Sequence, residues 1–144
     1  MKKITLMLAL IGISFSLIAQ TEINPKIKAD KDKQFANSEI DKNASSYKKV
    51  ARDIWGYAET GFNETKISTE LQELLKANGF RVESGVAGMP TAFVATYGSG
   101  GPTIGILAEF DALPGISQDS LPQKHPLVEG KAGHACGHNL FGTA

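Results

Sequence analysis

The densest set of reactive side chains in the sequence is Gly133-His134-Ala135-Cys136-Gly137-His138-Asn139, with two imidazoles and the only thiol within five residues. Thiolate and imidazole are donors that Zn²⁺ takes readily, with Mn²⁺, Co²⁺ and Ni²⁺ as first-row relatives. Gly137 lets the backbone fold tightly between Cys136 and His138, so both donors can face one ion. A nucleophilic cysteine with a histidine base is a second reading, although such partners usually lie far apart in sequence. A buried cysteine beside two surface histidines is a third. His134 and His138 also share the i, i+4 spacing of zinc-binding helices. Gly133 and Gly137 disfavour helix there, no glutamate follows His134, and Cys136 would face away. Cys136 and His138 are therefore the preferred ligand pair, with His134 a further candidate.

A second cluster is Glu109 with Asp111, where the apolar run TIGILAEF (103–110) meets a long aperiodic stretch. Carboxylates at the end of a buried strand cost free energy unless a cation or a donor neutralises them. Asp111 as a turn former ahead of Ala112-Leu113-Pro114-Gly115 is the competing assignment. Residues 111–133 hold three prolines, Pro114, Pro122 and Pro126, and no periodicity. Some twenty residues without structure of their own usually mark a functional loop.

The elements that must position these residues can be read from periodicity. Ile40, Ala44, Tyr47, Ala51, Ile54 and Ala58 recur at steps of four and three, the stripe of an amphipathic helix ending near Gly61. Asn63 is a plausible cap for a second helix burying Ile67, Leu71, Leu74 and Leu75, which Asn78-Gly79 ends. The period then changes to two. Residues 80–83, 91–97 and 103–110 predict strands, the last deeply buried because its apolar run is nearly continuous. Gly98-Ser99-Gly100-Gly101-Pro102 leads from strand to strand, so it predicts a hairpin turn and not a phosphate cradle. Helix, helix and three strands give an α/β or α+β domain with a mixed sheet.

The chain has 144 residues, 15 basic and 15 acidic, which allows one modest domain or a piece of a larger one. Neutral, scattered charge argues against nucleic acid as a partner. One cysteine excludes an internal disulfide framework. Lys2 and Lys3 precede an apolar run over 4–18 and a small residue, Ala19, which predicts a signal peptide over 1–19, cleaved before Gln20. The run is shorter than the roughly 20 residues that span a bilayer, so no stable membrane span is expected after cleavage. It carries no cysteine to take a lipid. The mature chain stays close to neutral, and its destination is periplasmic or extracellular. Residues 20–39 read as a polar linker or frayed lead-in, and 40–144 as the folded part.

Taken together, ILAEFDALPGISQ and GHACGHNLFGTA, with IWGYAETGFNE and ANGFRVESGVAGMPTAFVATYGSG upstream, resemble the metal-dependent amidohydrolases of the aminoacylase and carboxypeptidase superfamily. The resemblance is nearest to the branch of aminobenzoyl-glutamate utilisation protein B and covers residues 40–144. It implies the N-terminal portion of a zinc-peptidase-like catalytic domain, α/β with a mixed sheet, with the lid domain absent. It also implies two divalent ions, Zn or Mn, in the complete enzyme. By the same resemblance Cys136 and His138 are metal ligands and Asp111 is the aspartate behind them. Related carboxypeptidases carry a ligand histidine where this chain has Glu109, and Asn139 stands where many cysteine-type members have aspartate. The general-base glutamate, the remaining ligands and the lid belong to family segments beyond Ala144, so the expectation is an N-terminal fragment, inactive alone. The complete enzyme would cleave amide bonds of N-acyl or aminobenzoyl amino acids or small peptides, and the resemblance extends to a dimer. The alternatives are a non-catalytic metal-binding remnant and a subunit completed by a separately encoded partner.

Overall fold

The computed structural model describes residues 25–144. The signal segment expected over 1–19 lies outside them. The chain divides between Lys42 and Asn43 into two units. Within its described residues, the first unit is the opening part of helix α1, Pro25–Tyr57. The polar lead-in expected over 20–39 is thus helical from Pro25 onward. Proline is well placed at a first helical position, where its missing N–H is not needed. Lysine, glutamine and alanine then favour helix, and no glycine or proline interrupts before Gly56. No helix among the described residues is long and apolar enough to cross a membrane.

The second unit runs from Asn43 and contains the core. Val50 and Ile54 of α1 meet Ile67 and Leu71 of α2 (Thr65–Ala77), with Leu74, Phe93 and Phe110 packed at the margin. Ile54 and Ile67 are completely buried. The stripe expected on α1 holds at Ala51 and Ile54. Tyr47, however, is 39% exposed, and Val50, one turn before Ile54, takes the inner position. A branched aliphatic gains more from a dry contact than a phenol that keeps its hydroxyl wet. Helix α1 ends at Tyr57, ahead of the expected Gly61, because Ala58 takes a left-handed φ of 46°.

Helix α2 ends at Asn78 as expected, with the Asn78 amide nitrogen bonding back to the Leu74 carbonyl. Strands β1 (Arg81–Ser84) and β2 (Phe93–Thr96) follow, paired antiparallel with Arg81 opposite Thr96 and Ser84 opposite Phe93. They are joined by 85–92, which includes a short 3-10 turn at Val86–Gly88. Helices with a two-stranded sheet are compatible with the α/β class. Ser68 of α2 donates to the Thr91 carbonyl at 2.7 Å, and Thr91 donates to Glu64 at 2.7 Å, fixing helix to sheet.

The third expected strand is a correction. Residues 103–110 join no sheet among the described residues, and Ile104, Ile106 and Leu107 are 86%, 89% and 85% exposed. The glycine-rich 98–102 therefore connects no pair of strands. An apolar run encodes a buried strand only when neighbours exist to hydrogen-bond its edges and cover its faces. Only Phe110, at its end, packs inward, stacked on Phe93 at 5.9 Å between ring centroids.

Candidate functional site

His138 opens a four-residue helix, α3 (His138–Phe141), entered through Gly137 at a left-handed φ of 75°. A residue with a Cβ would pay steric strain there, so glycine suits the sharp turn after Cys136. Two side-chain tethers hold this segment to α1. Asn139 donates through Nδ2 to the Ala51 carbonyl at 3.2 Å, and His134 Nε2 bonds the Ile54 carbonyl at 3.1 Å. The second contact makes His134 Nε2 a donor, since a carbonyl can only accept. Burial pushes the His134 imidazole below its ordinary value, keeping it neutral in that role.

From the other side, the segment 109–113 is pinned at several points. The Ala112 amide donates to the Glu59 carbonyl at 2.8 Å, and Leu113 exchanges both backbone bonds with Gly133 at 3.0 Å. Gly142 packs so closely that a Cβ there would lie 2.9 Å from the Glu109 carbonyl oxygen. The loop after Asp111 closes on itself through Ser117 and Lys131, and through an Asp119–His125 contact at 2.7 Å. Its sequence announces neither bond, because each joins residues with no common periodicity.

These constraints bring Glu109, Asp111 and His138 together, with one potential ligand atom from each within 4.8 Å of the others. His138 Nδ1 lies 2.9 Å from Asp111 Oδ1 and 3.1 Å from the Asp111 carbonyl, and Nε2 lies 3.2 Å from Glu109 Oε2. With two acceptors before it, Nδ1 carries hydrogen. Nε2 faces a carboxylate that can only accept, so its lone pair would serve as a ligand where a cation lies between Nε2 and Glu109. A carboxylate behind a histidine in this way fixes its tautomer and raises its basicity toward a metal. One imidazole nitrogen with carboxylate oxygens suits Zn²⁺ or Mn²⁺ as a donor set. The His138 side chain is mostly buried, while Glu109 is open to solvent.

Of the sequence candidates, Asp111 and His138 meet directly, and Glu109 joins them. Cys136 is exposed and stands outside this group, and His134 is committed to helix α1. A cleft of about 540 Å³ is lined by Trp55, Tyr57, Thr60, Leu127 and Lys131 among others and includes none of Glu109, Asp111 and His138. Glu59 also borders it, with its carboxylate turned to the first amides of α2.

No family model matches the chain. Over 112 residues, 77% of its length, it is 39% identical to one of the subunits of p-aminobenzoyl-glutamate hydrolase from Escherichia coli (strain K12). The match covers 23% of that subunit. A segment of this kind, joining the acidic end of an apolar run to a Gly-His-Ala-Cys-Gly-His turn, resembles the aminoacylase and carboxypeptidase superfamily. Within it the chain belongs to the aminobenzoyl-glutamate utilisation protein B branch.

Proposed function

We propose that this chain supplies part of the metal cradle of a metal-dependent amidohydrolase acting on aminobenzoyl or N-acyl amino acids, within a zinc-peptidase-like catalytic domain. The observation that carries the reading is His138, held through Nδ1 by Asp111 with Nε2 turned toward Glu109. The similarity to a protein named for aminobenzoyl-glutamate hydrolysis supports the choice of substrate. In this reading His138 is a ligand, and Asp111 sets its tautomer. Glu109 is the further donor beside His138, Cys136 is one by the family resemblance alone, and His134 keeps the segment seated on α1. A bound Zn²⁺ or Mn²⁺ supplies Lewis acidity toward an amide carbonyl and a water acidified to near neutral pH. The exposed side of Glu109 leaves room for substrate to approach this face.

The test is calorimetric titration with Zn²⁺ and Mn²⁺ of the wild type and of His138→Ala, Cys136→Ser and His134→Ala. Loss of binding in His138→Ala and weakening in Cys136→Ser are expected, with His134→Ala close to wild type. Unchanged binding in His138→Ala would refute the assignment. Hydrolysis of aminobenzoyl-glutamate is assayed alongside, and none is expected from the chain alone. The exposed run 103–110 favours a second reading within the same lineage, a subunit whose site is completed by other polypeptide. Export belongs to the proposal as well. Intact mass of protein from the native host should begin at Gln20, and soluble protein retaining Met1 would remove it.

A further inference from the structure

The cleft of about 540 Å³ has the size of a small-molecule site. Two segments of this chain line it, the end of α1 with the turn after it, and the loop 117–133. Bonds within the chain hold both segments. The Ala112 amide donates to the Glu59 carbonyl, Leu113 pairs with Gly133, and the Ser117 amide donates to the Lys131 carbonyl. Gln118 braces the loop, donating to the Gln123 carbonyl at 2.7 Å and accepting from the His125 amide at 2.9 Å.

Backbone strain and charge distinguish this cleft. Ala58, in its lining, and Phe62 take left-handed φ values of 46° and 67° on either side of Thr60. Residues with a Cβ rarely adopt that conformation, and such strain gathers at binding sites. The Glu59 carboxylate is taken up by the Lys66 and Ile67 amides. Lys131, the only cation among the lining residues, makes no ion pair among the described residues. Trp55 and Tyr57 are each 39% exposed in the same cleft, and Leu127 is more exposed still.

We propose that this cleft binds a small aromatic carboxylate, with the ring against Trp55 and Leu127 and the charge at Lys131. Aromatic rings pack on indole, and an ammonium donates to a carboxylate. The source of such an acid rests on the amidohydrolase reading above. Hydrolysis of an aromatic amide breaks the C–N bond, sends the water oxygen to the acyl carbon and a proton to the amine. The aromatic part therefore leaves as a carboxylate. The amino acid released with it has no ring to pack and brings an ammonium toward Lys131.

The full chain, stripped of metal on a chelating resin, is titrated calorimetrically with 4-aminobenzoate, 4-aminobenzamide and glutamate. Trp55 is the only tryptophan, so its emission during titration with benzoate reports on the cleft itself. The acid is expected to bind about fivefold or more tighter than the amide or glutamate, and benzoate to change Trp55 emission. Lys131→Met should weaken 4-aminobenzoate about fivefold or more. Lys124→Met, outside the lining, should bind as wild type does. Lys131 is exposed, so its variant should keep the wild-type circular dichroism, separating binding from folding. Binding of the acid by a chain that takes up no Zn²⁺ or Mn²⁺ would support the cleft and strike the metal reading alone. Equal affinity for acid and amide, wild-type affinity in Lys131→Met, or unchanged Trp55 emission would overturn the proposal.

Discussion

His138 is positioned by residues distant in sequence more than by its own short helix. Asp111 holds its Nδ1 at 2.9 Å across a separation of 27 residues. Removing that acceptor frees the ring to rotate and to take the other tautomer. Asp111→Ala should therefore lower affinity for Zn²⁺ or Mn²⁺ about 10–100-fold without removing a ligand. Calorimetry reads the change, and wild-type affinity in this variant would show that Asp111 does not orient the ring. A second residue-scale effect lies away from this site. Burial pushes the Glu70 carboxyl above its ordinary value of 4.5, and the nearby Asp53 carboxylate pushes in the same direction. Lys49 meanwhile holds Asp53 below the usual carboxylate range. The fold thus binds the Glu70 proton more tightly than the unfolded chain does. Its contribution to stability is complete below 4.5 and is lost as pH rises through the higher folded value. Glu70→Gln, which cannot ionise, should gain stability relative to wild type between pH 4.5 and pH 7 in urea unfolding. A difference independent of pH would show that Glu70 ionises as it does in water.

At the scale of elements, helix α2 depends on a cap that is not its neighbour. The Glu59 carboxylate accepts from the amides of Lys66 and Ile67 at 2.9 and 3.0 Å. Asn63, the cap read from sequence, instead bonds the Gly61 carbonyl. A carboxylate at this end satisfies unpaired donors and meets the positive end of the helix dipole. Glu59→Ala should cost about 0.5–2 kcal/mol, the usual range for losing a cap. Thermal unfolding measures it, and Asn63→Ala should cost less. The reverse order would restore Asn63 as the cap. The Ala112–Glu59 backbone bond adjoins the same corner, so α2 and the segment bearing Asp111 share one anchor.

At the scale of the whole molecule, the core of the second unit is small. Ile54 and Ile67 are its two largest completely buried side chains. Ile67→Ala should cost about 2–5 kcal/mol from lost contact and an unfilled cavity. Against a typical domain stability of about 5–15 kcal/mol that is a large share. A clear fall in the urea midpoint is expected, whereas Ile106→Ala should barely move it. Equal effects would mean that 103–110 packs against the core after all. Similar aliphatic side chains thus have opposite consequences in one chain, depending on whether anything covers them.

Periodicity, caps and motif composition are local properties, and they were legible in the sequence. The end of α2 at Asn78, the inward Ile54, Ile67 and Leu71, and strands overlapping 80–83 and 91–97 all follow from spacing over a few residues. The Gly-His-Ala-Cys-Gly-His segment stood out by residue type alone. The tertiary structure decided which of its members meet a carboxylate. It placed His138 between Asp111 and Glu109, tied His134 to Ile54 and left Cys136 exposed. Such convergence depends on how loops such as 111–133 close, and no local pattern encodes loop closure. It also decided the state of 103–110. An apolar run specifies what a strand needs around it, but burial requires that the neighbours be there.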